Sequence, residues 1–299
     1  MELRDIEYFA VIAEHGNLGR ASEALGLSAT ALSKSLRRLE ASVQAKLVRR
    51  TAKGVELTAE GGLLLSRVRG LRMSLQEISR EIADLSQGRS GSLRIGTLPG
   101  VIDDVVAPAC SALFSESESV TMYVSVGAFD TLLPGLQTGE LDFVICEIPK
   151  VPYEDLVHEH LFDDELVAFA SAKHPLTRKK RVAITELARE QWSTTAASTP
   201  GSILPPALSA HGLRDPHFAL FTTSLSLRDH VVASTRMLGH SSRRVLRNMA
   251  RHLDVAEVPV KEMQLTRQVG ISYRRGAYVS PLARRMIELL KGVAKKIAT

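Results

Sequence analysis

Apolar positions in the first ninety residues repeat at helical spacing and are interrupted at intervals by glycine. Ile6, Phe9, Ala10 and Ala13 stand at i, i+3, i+4 and i+7, which predicts a helix with one buried stripe, ended by Gly16. Asn17 can begin a short second helix carrying Ala21, Ala24 and Leu25; Gly26 breaks it and Ser28 caps a third. Leu32, Leu36 and Leu39 form the buried face of that third helix, so Ala29, Thr30, Ser33, Lys34 and Arg37 point outwards. Two short helices across a glycine turn make a helix-turn-helix, whose second member brings its N-terminal residues to base edges in the major groove. In KLVRRTAKGVEL, the Lys53-Gly54 turn signal between two short runs predicts a β-hairpin wing. Its basic tip suits a phosphate or the minor groove; a hairpin that only covers the helix pair stays open as the alternative.

From Thr58 onward the period changes. Leu64, Val68, Leu71, Leu75, Ile78, Ile82 and Leu85 follow spacings of 4, 3, 4, 3, 4 and 3, an a/d seam on one long helix. Arg67, Arg69, Arg72, Glu77, Arg80 and Glu81 flank it, so the narrow seam needs a partner. A sister helix is one solution and pairs two DNA-binding units; the chain's own C-terminal part is the other. Gln87 to Ser92 then reads as a flexible hinge.

Beyond residue 92 strand and helix patterns alternate: SLRIGTL, a helix with Ile102, Val105, Val106, Ala109 and Leu113, VTMYVSV, a helix with Leu132, Leu133 and Leu136, then DFVIC. The pattern starts afresh at ELVAFAS and returns through RQVGISY to a final helix. Repeated β-α-β predicts a mostly parallel sheet with helices on both faces. Ligands of such sheets sit beyond the carboxyl ends of strands, near free helix N-termini. Small polar residues gather there at Thr97-Leu98-Pro99-Gly100, Ser198-Thr199-Pro200-Gly201-Ser202 and Thr222-Thr223-Ser224-Leu225-Ser226, and Gly127-Ala128-Phe129 adds a fourth wall. Hydroxyls and helix N-termini suit a small anion, and ordinary helix capping is the plainer use of the same residues.

Charge sharpens this picture. Residues 1–90 hold 14 Lys/Arg against 11 Asp/Glu, residues 91–163 hold 2 against 12, and residues 164–299 hold 22 against 10. A uniform basic coat is excluded. Lys34, Arg37, Arg38, Lys46, Arg49, Arg50 and Lys53 face only Glu40 between positions 33 and 53, which fits a phosphate-contacting surface or an ordinary solvated face. Arg243, Arg244 and Arg247 share one helical face and suit the acidic first lobe of a neighbouring subunit.

Cys110 and Cys146 are the only cysteines, without metal spacing, and both read as small buried hydrophobes. His158 and His160 lack a third ligand, so no metal or other cofactor is expected. The chain has no GxSxG, P-loop or HExxH motif, and no enzyme is expected. No signal peptide or apolar run of membrane-spanning length is seen, which with the cysteine usage predicts a cytoplasmic protein.

LRDIEYFAVIAEHGNLGRASEALGLS, TALSKSLRRLE and RRTAKGVELTAEG together resemble the DNA-binding domain of LysR-type transcriptional regulators. SLRIG, LQTGELDFVI, LFDDELVAFASAKHPL and SPLARRMIELL resemble that family's effector domain. The pattern departs at Ala29-Thr30, where the family usually has Gln-Pro, at Val48 for Phe, and at Asn17-Leu18-Gly19 for Ser/Thr-Phe-Thr. Ala29 cannot make the bidentate adenine contact of a Gln, which leaves Thr30 to meet a thymine methyl or a base edge.

The resemblance implies an α plus α/β chain: a winged helix-turn-helix (1–58), a linker and dimerisation helix with hinge (59–91) and an effector domain (92–299). That domain is expected to have two lobes, 92–162 with 268–299 and 163–267, like type 2 periplasmic binding proteins. Expected DNA contacts are Ala29, Thr30, Ser33, Lys34, Arg37, Arg38, Arg50 and Lys53; the seam from Leu64 to Leu85 would dimerise. Thr97, Leu98, Pro99, Gly100, Ala128, Phe129, Ser198, Thr199, Ser202, Ser224 and Ser226 would line an interlobe cleft for a small, anionic effector. Double-stranded promoter DNA, that effector, a homodimer and a homotetramer are the implied partners, with RNA polymerase open and no membrane. Two other readings remain: an architectural DNA binder with a vestigial cleft, and a solute-binding protein or enzyme carrying the helix-turn-helix by descent.

Overall fold

The computed structural model describes residues 2–51, 54–87, 91–117, 119–195, 208–213, 216–260, 262 and 265–297. They form two compact units, Met1–Ala83 and Asp84–Thr299. Lys53, Ser198, Thr199 and Ser202 lie outside the described residues, as do the side chains of Arg50 and Leu85.

In the first unit the helices α1 (Leu3–His15), α2 (Leu18–Leu25) and α3 (Ala29–Val43) are cut where the local chemistry dictates. Gly16 and Gly26 take left-handed φ of 59° and 63°, which glycine adopts without a Cβ penalty. The Asn17 side chain accepts from the N–H groups of Gly19 and Arg20 at 2.8 and 3.2 Å, and Ser28 Oγ accepts from Ala31 at 3.2 Å. Ile6, Phe9, Ala10, Ile12, Ala21, Leu32, Leu36 and Leu39 are buried together, whereas Ala24 faces solvent. The wing strands β1 (Val48–Thr51) and β2 (Gly54–Leu57) pair antiparallel, and the Val55 N–H donates to the Gly16 carbonyl at 2.8 Å. Helix α4 (Ala59–Gln87) then begins so close to the wing root that a Cβ on Gly61 would lie 1.9 Å from the Leu47 carbonyl oxygen.

The second unit opens with β3 (Gly91–Thr97), a 3-10 turn (Pro99–Val101), a π-helical turn (Ile102–Val106), α5 (Ala107–Glu116), β4 (Val120–Val126), α6 (Phe129–Gln137) and β5 (Phe143–Glu147). It continues through β6 (Leu156–Ser171), α7 (Ile184–Leu187), β7 (Gln191–Thr195), β8 (His217–Thr222), α8 (Leu225–Ser234), β9 (Gly239–Ser242) and α9 (Arg243–Met249). It closes with β10 (Val255–Glu257), β11 (Leu265–Arg274) and α10 (Pro281–Ile297). The main sheet runs β10-β6-β11-β5-β3-β4 with β9 also on β6; β7 and β8 form a separate parallel pair. β3 pairs parallel with β4 and β5, but every pairing of β6 and β11 is antiparallel, so the sheet is mixed rather than mostly parallel. ELVAFAS is no fresh strand; it is the distal half of the 16-residue β6. Of the expected hinge, Gln87 closes α4 and Gly91 and Ser92 belong to β3, and residues 88–90 lie outside the described residues.

β6 and β11 carry the chain between two cores. Ile95, Phe143, Ile145, Ile271, Met286 and Leu290 belong to the first. In the second lobe, Ala168 and Ala170 of β6 face Trp192, Leu208 and Leu238, while Val167 and Phe169 face Val232, Leu246 and Val255. Alternation along one strand thus buries both of its faces. Between the cores Phe162 pairs with Val269 and His160 with Gly270, which leaves Leu161 as an extra residue. Such a bulge bends the strand, and it lies where one lobe passes into the other.

Candidate nucleic-acid interface and lobe junction

On α3 the residues Ala29, Thr30, Lys34 and Arg37 are exposed and Ser33 is half-buried. Arg38 is drawn the other way. Its Nε donates to Asp5 Oδ2 at 2.7 Å, a terminal nitrogen bonds Oδ1, and Ser35 Oγ donates to Oδ1 at 2.5 Å. Asp5 is only 1% exposed, and the Arg38 hydrogen bond leads the effects that hold its carboxyl below the ordinary range. Arg38 therefore rivets α3 to α1 while its side chain stays 47% exposed. Lys46 is engaged by Glu40 at 2.8 Å and Arg49 by Glu56 at 3.2 Å, directly across the wing. Glu40 also accepts the Leu47 N–H at 3.0 Å and so fixes where the wing leaves α3. Lys34 and Arg37 are the cations that the described residues leave at the outward face of α3.

The seam divides in two. Leu65 and Val68 are buried and Leu64 half-buried against the unit's own core. Leu71, Leu75, Ile78 and Ile82 are 46%, 49%, 52% and 61% exposed. Val68 is thus a core residue of the DNA-binding unit, and the exposed stripe begins one turn later, at Leu71.

Of the expected cleft residues, Thr97 is fully buried. Its hydroxyl donates to the Leu98 carbonyl at 3.2 Å, and its own carbonyl accepts from Gly127 at 3.0 Å. Leu98 gives its N–H to Ile145 at 2.9 Å. Pro99 and Gly100 remain partly accessible, as do Ala128 and Phe129, whose ring lies 5.7 Å from Tyr153 and 6.4 Å from His158. Ser224 accepts the Leu227 N–H at 3.2 Å as the cap of α8, the plainer of its two roles, and the Ser226 carbonyl meets His230 Nδ1 at 2.8 Å.

A polar cluster at the lobe junction escaped the reading of the sequence. Arg267 and Asp164 stand opposite each other on β11 and β6, with Nε and Nη2 donating to Oδ2 at 3.1 and 2.8 Å. Ser242 bonds the other oxygen. Arg228 is buried against Asp229, donates to the His240 carbonyl at 3.1 Å and lies 5.5 Å from the centroid of Phe169. Burial, aided by Arg228 and Arg267, pushes His240 down to about 4, and its Nδ1 has no partner among the described residues. Arg244 bonds Asp104 and donates to the Gly100 carbonyl at 3.2 Å, so it meets the acidic first lobe of its own chain. Arg243 pairs with Glu257 at 2.9 Å and with Glu165, again internally. Cys146 is buried and its thiol pushed up to about 12 by desolvation, which makes it a poor nucleophile. No group of three or more metal-ligating side chains occurs among the described residues, and no helix there is long and apolar enough to cross a membrane.

Comparison with known proteins matches residues 3–62 to the bacterial regulatory helix-turn-helix protein, lysR family, and residues 86–295 to the LysR substrate binding domain. The regulator GbpR of Azospirillum brasilense is 33% identical over 182 residues, 60% of this chain and 53% of its own length. The DNA-binding transcriptional dual regulator OxyR of Escherichia coli is 26% identical over 300 residues, covering 99% of this chain and 96% of OxyR. Among solved structures, full-length CbnR in complex with its target DNA superposes with a TM-score of 0.64 at 16% identity, over 98% of this chain and 100% of CbnR. With the helix-turn-helix, its wing and the two α/β lobes in place, the chain belongs to the LysR family of DNA-binding transcriptional regulators.

Proposed function

We propose that the chain reads a promoter site as a dimer and that a small anionic effector between its lobes controls this. The observation that carries the reading is the outward face of α3, where Ala29, Thr30, Lys34 and Arg37 stand free of the core while Arg38 and Glu40 fix the helix behind them. That arrangement suits base edges at the helix N-terminus and phosphates further along it. Residues 1–58 form the reader, 59–91 the linker and 92–299 the effector domain, with lobes at 92–162 plus 268–299 and at 163–267. The exposed stripe Leu71, Leu75, Ile78 and Ile82 suits a sister helix, and pairs of dimers would bend the DNA into one assembly. The CbnR structure with its target DNA supports the DNA half of this reading by likeness of fold.

A salt-titrated binding assay tests it, with the DNA upstream of the protein's own gene set against a shuffled duplex of equal composition. Preference for the upstream duplex, with affinity falling steeply as salt rises, is expected. Equal affinity for both would favour a non-specific architectural role.

A further inference from the structure

Arg244 stands in the first turn of α9 in the second lobe, yet what it grips belongs to the first. It forms an ion pair with Asp104, and its Nη2 donates to the Gly100 carbonyl at 3.2 Å. One turn along α9, Asn248 Nδ2 donates to the other Asp104 oxygen at 2.6 Å. The guanidinium lies 5.2 Å from the centroid of Phe162, which pairs at the very bulge where β6 passes between lobes. Asp104 itself sits in the π-helical turn Ile102–Val106, closed by the Ala107 N–H reaching back to the Ile102 carbonyl. A π turn closes an i to i+5 hydrogen bond with one residue more than an α turn, and such turns occur frequently at functional sites. Both members of the ion pair keep some access to water, Arg244 at 19% and Asp104 at 22%, so each can be rehydrated on separation. Arg244 Nε, by contrast, is buried with no partner among the described residues, which leaves this closed arrangement incompletely satisfied.

We propose that Arg244, Asp104 and Asn248 form a latch between the lobes, with the Pro99–Gly100 turn as the element that latch and ligand share. A ligand that moves this turn displaces the Gly100 carbonyl from Arg244 and loosens the Asp104 pair. The lobes then pivot about the bulge at Leu161. The regulatory part of this inference rests on the cleft reading above; the latch itself does not.

Hydrogen–deuterium exchange of the full chain tests it with wild type, Asp104→Asn and Arg244→Lys. Asn keeps the size and one acceptor at position 104, and Lys keeps the charge at 244 but loses the fork. The latch predicts that both variants speed exchange in residues 98–107 and in 243–249 together, by about tenfold, the scale of a lost charged hydrogen bond. Exchange in α1 to α3 stays unchanged and serves as the folding control. Acceleration confined to the mutated segment, or none, overturns the latch. Duplex affinity of the same variants separates the two readings: coupled exchange with unaltered affinity for DNA would keep the latch and remove its role in control.

Discussion

The two units of this molecule use the same ion pair, arginine to aspartate, for opposite ends. In the DNA-binding unit Asp5 is 1% exposed and holds Arg38 and Ser35 at once, so that carboxylate leaves nothing unsatisfied. At the lobe junction Asp104 is 22% exposed, and its arginine keeps one buried donor without a partner among the described residues. Burial of the carboxylate, not of its arginine, separates the two, since Arg38 is 47% exposed and Arg244 19%. A buried, saturated carboxylate fixes geometry, and a part-exposed one whose arginine keeps an unmet donor can open. The recognition helix must arrive at DNA with its register set, whereas a ligand-controlled junction needs two arrangements of similar energy.

Substitutions grade this contrast. The largest loss is expected at Gly61→Ala, because the added Cβ would lie 1.9 Å from a backbone carbonyl; unfolding should become easier by about 3 kcal/mol or more, read from denaturant midpoints. Acid acts next, on the second unit. His240 resists protonation in the fold, at about 4 against an ordinary 6.5, so the unfolded chain takes up the proton first. Stability is therefore complete above about pH 6.5 and lost as pH falls towards 4, by up to about 3 kcal/mol before discounting for relaxation. His240→Gln should flatten that part of the pH–stability curve, and an unchanged curve would remove His240 from the account. Asp5→Ala follows, with about 2 kcal/mol lost to the missing hydrogen bonds. Asp104→Asn at the junction should cost less, about 1.4 kcal/mol, the equivalent of the tenfold opening expected of the latch. Equal losses at positions 5 and 104 would break the comparison. Smallest of all in stability is Lys34→Ala, which should leave the unfolding curve in place and lower the salt slope of duplex binding by about one charge.

How much of this was visible beforehand follows from the range of the interactions. Asn17, Ser28, Gly16 and Gly26 act on residues within one turn, so helix ends in the reader could be placed from the sequence. The continuity of β6 could not, because Leu156 pairs with Arg274, far along the chain, and nothing local marks the antiparallel partner. Val68 falls on the dimer stripe by its heptad position because the heptad runs unbroken past the point where α4 leaves its own core. Arg244 and Asp104 lie 140 residues apart, and each alone reads as a solvated surface charge. The small-residue loops were found by a general rule on strand ends, but that rule cannot tell a ligand contact from a cap, and Ser224 proves to be a cap.

On the function proposed above, the exposed stripe of α4 joins two readers into one. Sedimentation of the full chain answers it, wild type beside a Leu75→Glu/Ile78→Glu variant, with duplex affinity measured on the same samples. The variant is expected to lose one level of assembly and most of its affinity for the upstream duplex while its melting curve stays in place. A variant that keeps both the wild-type mass and the wild-type affinity would contradict it.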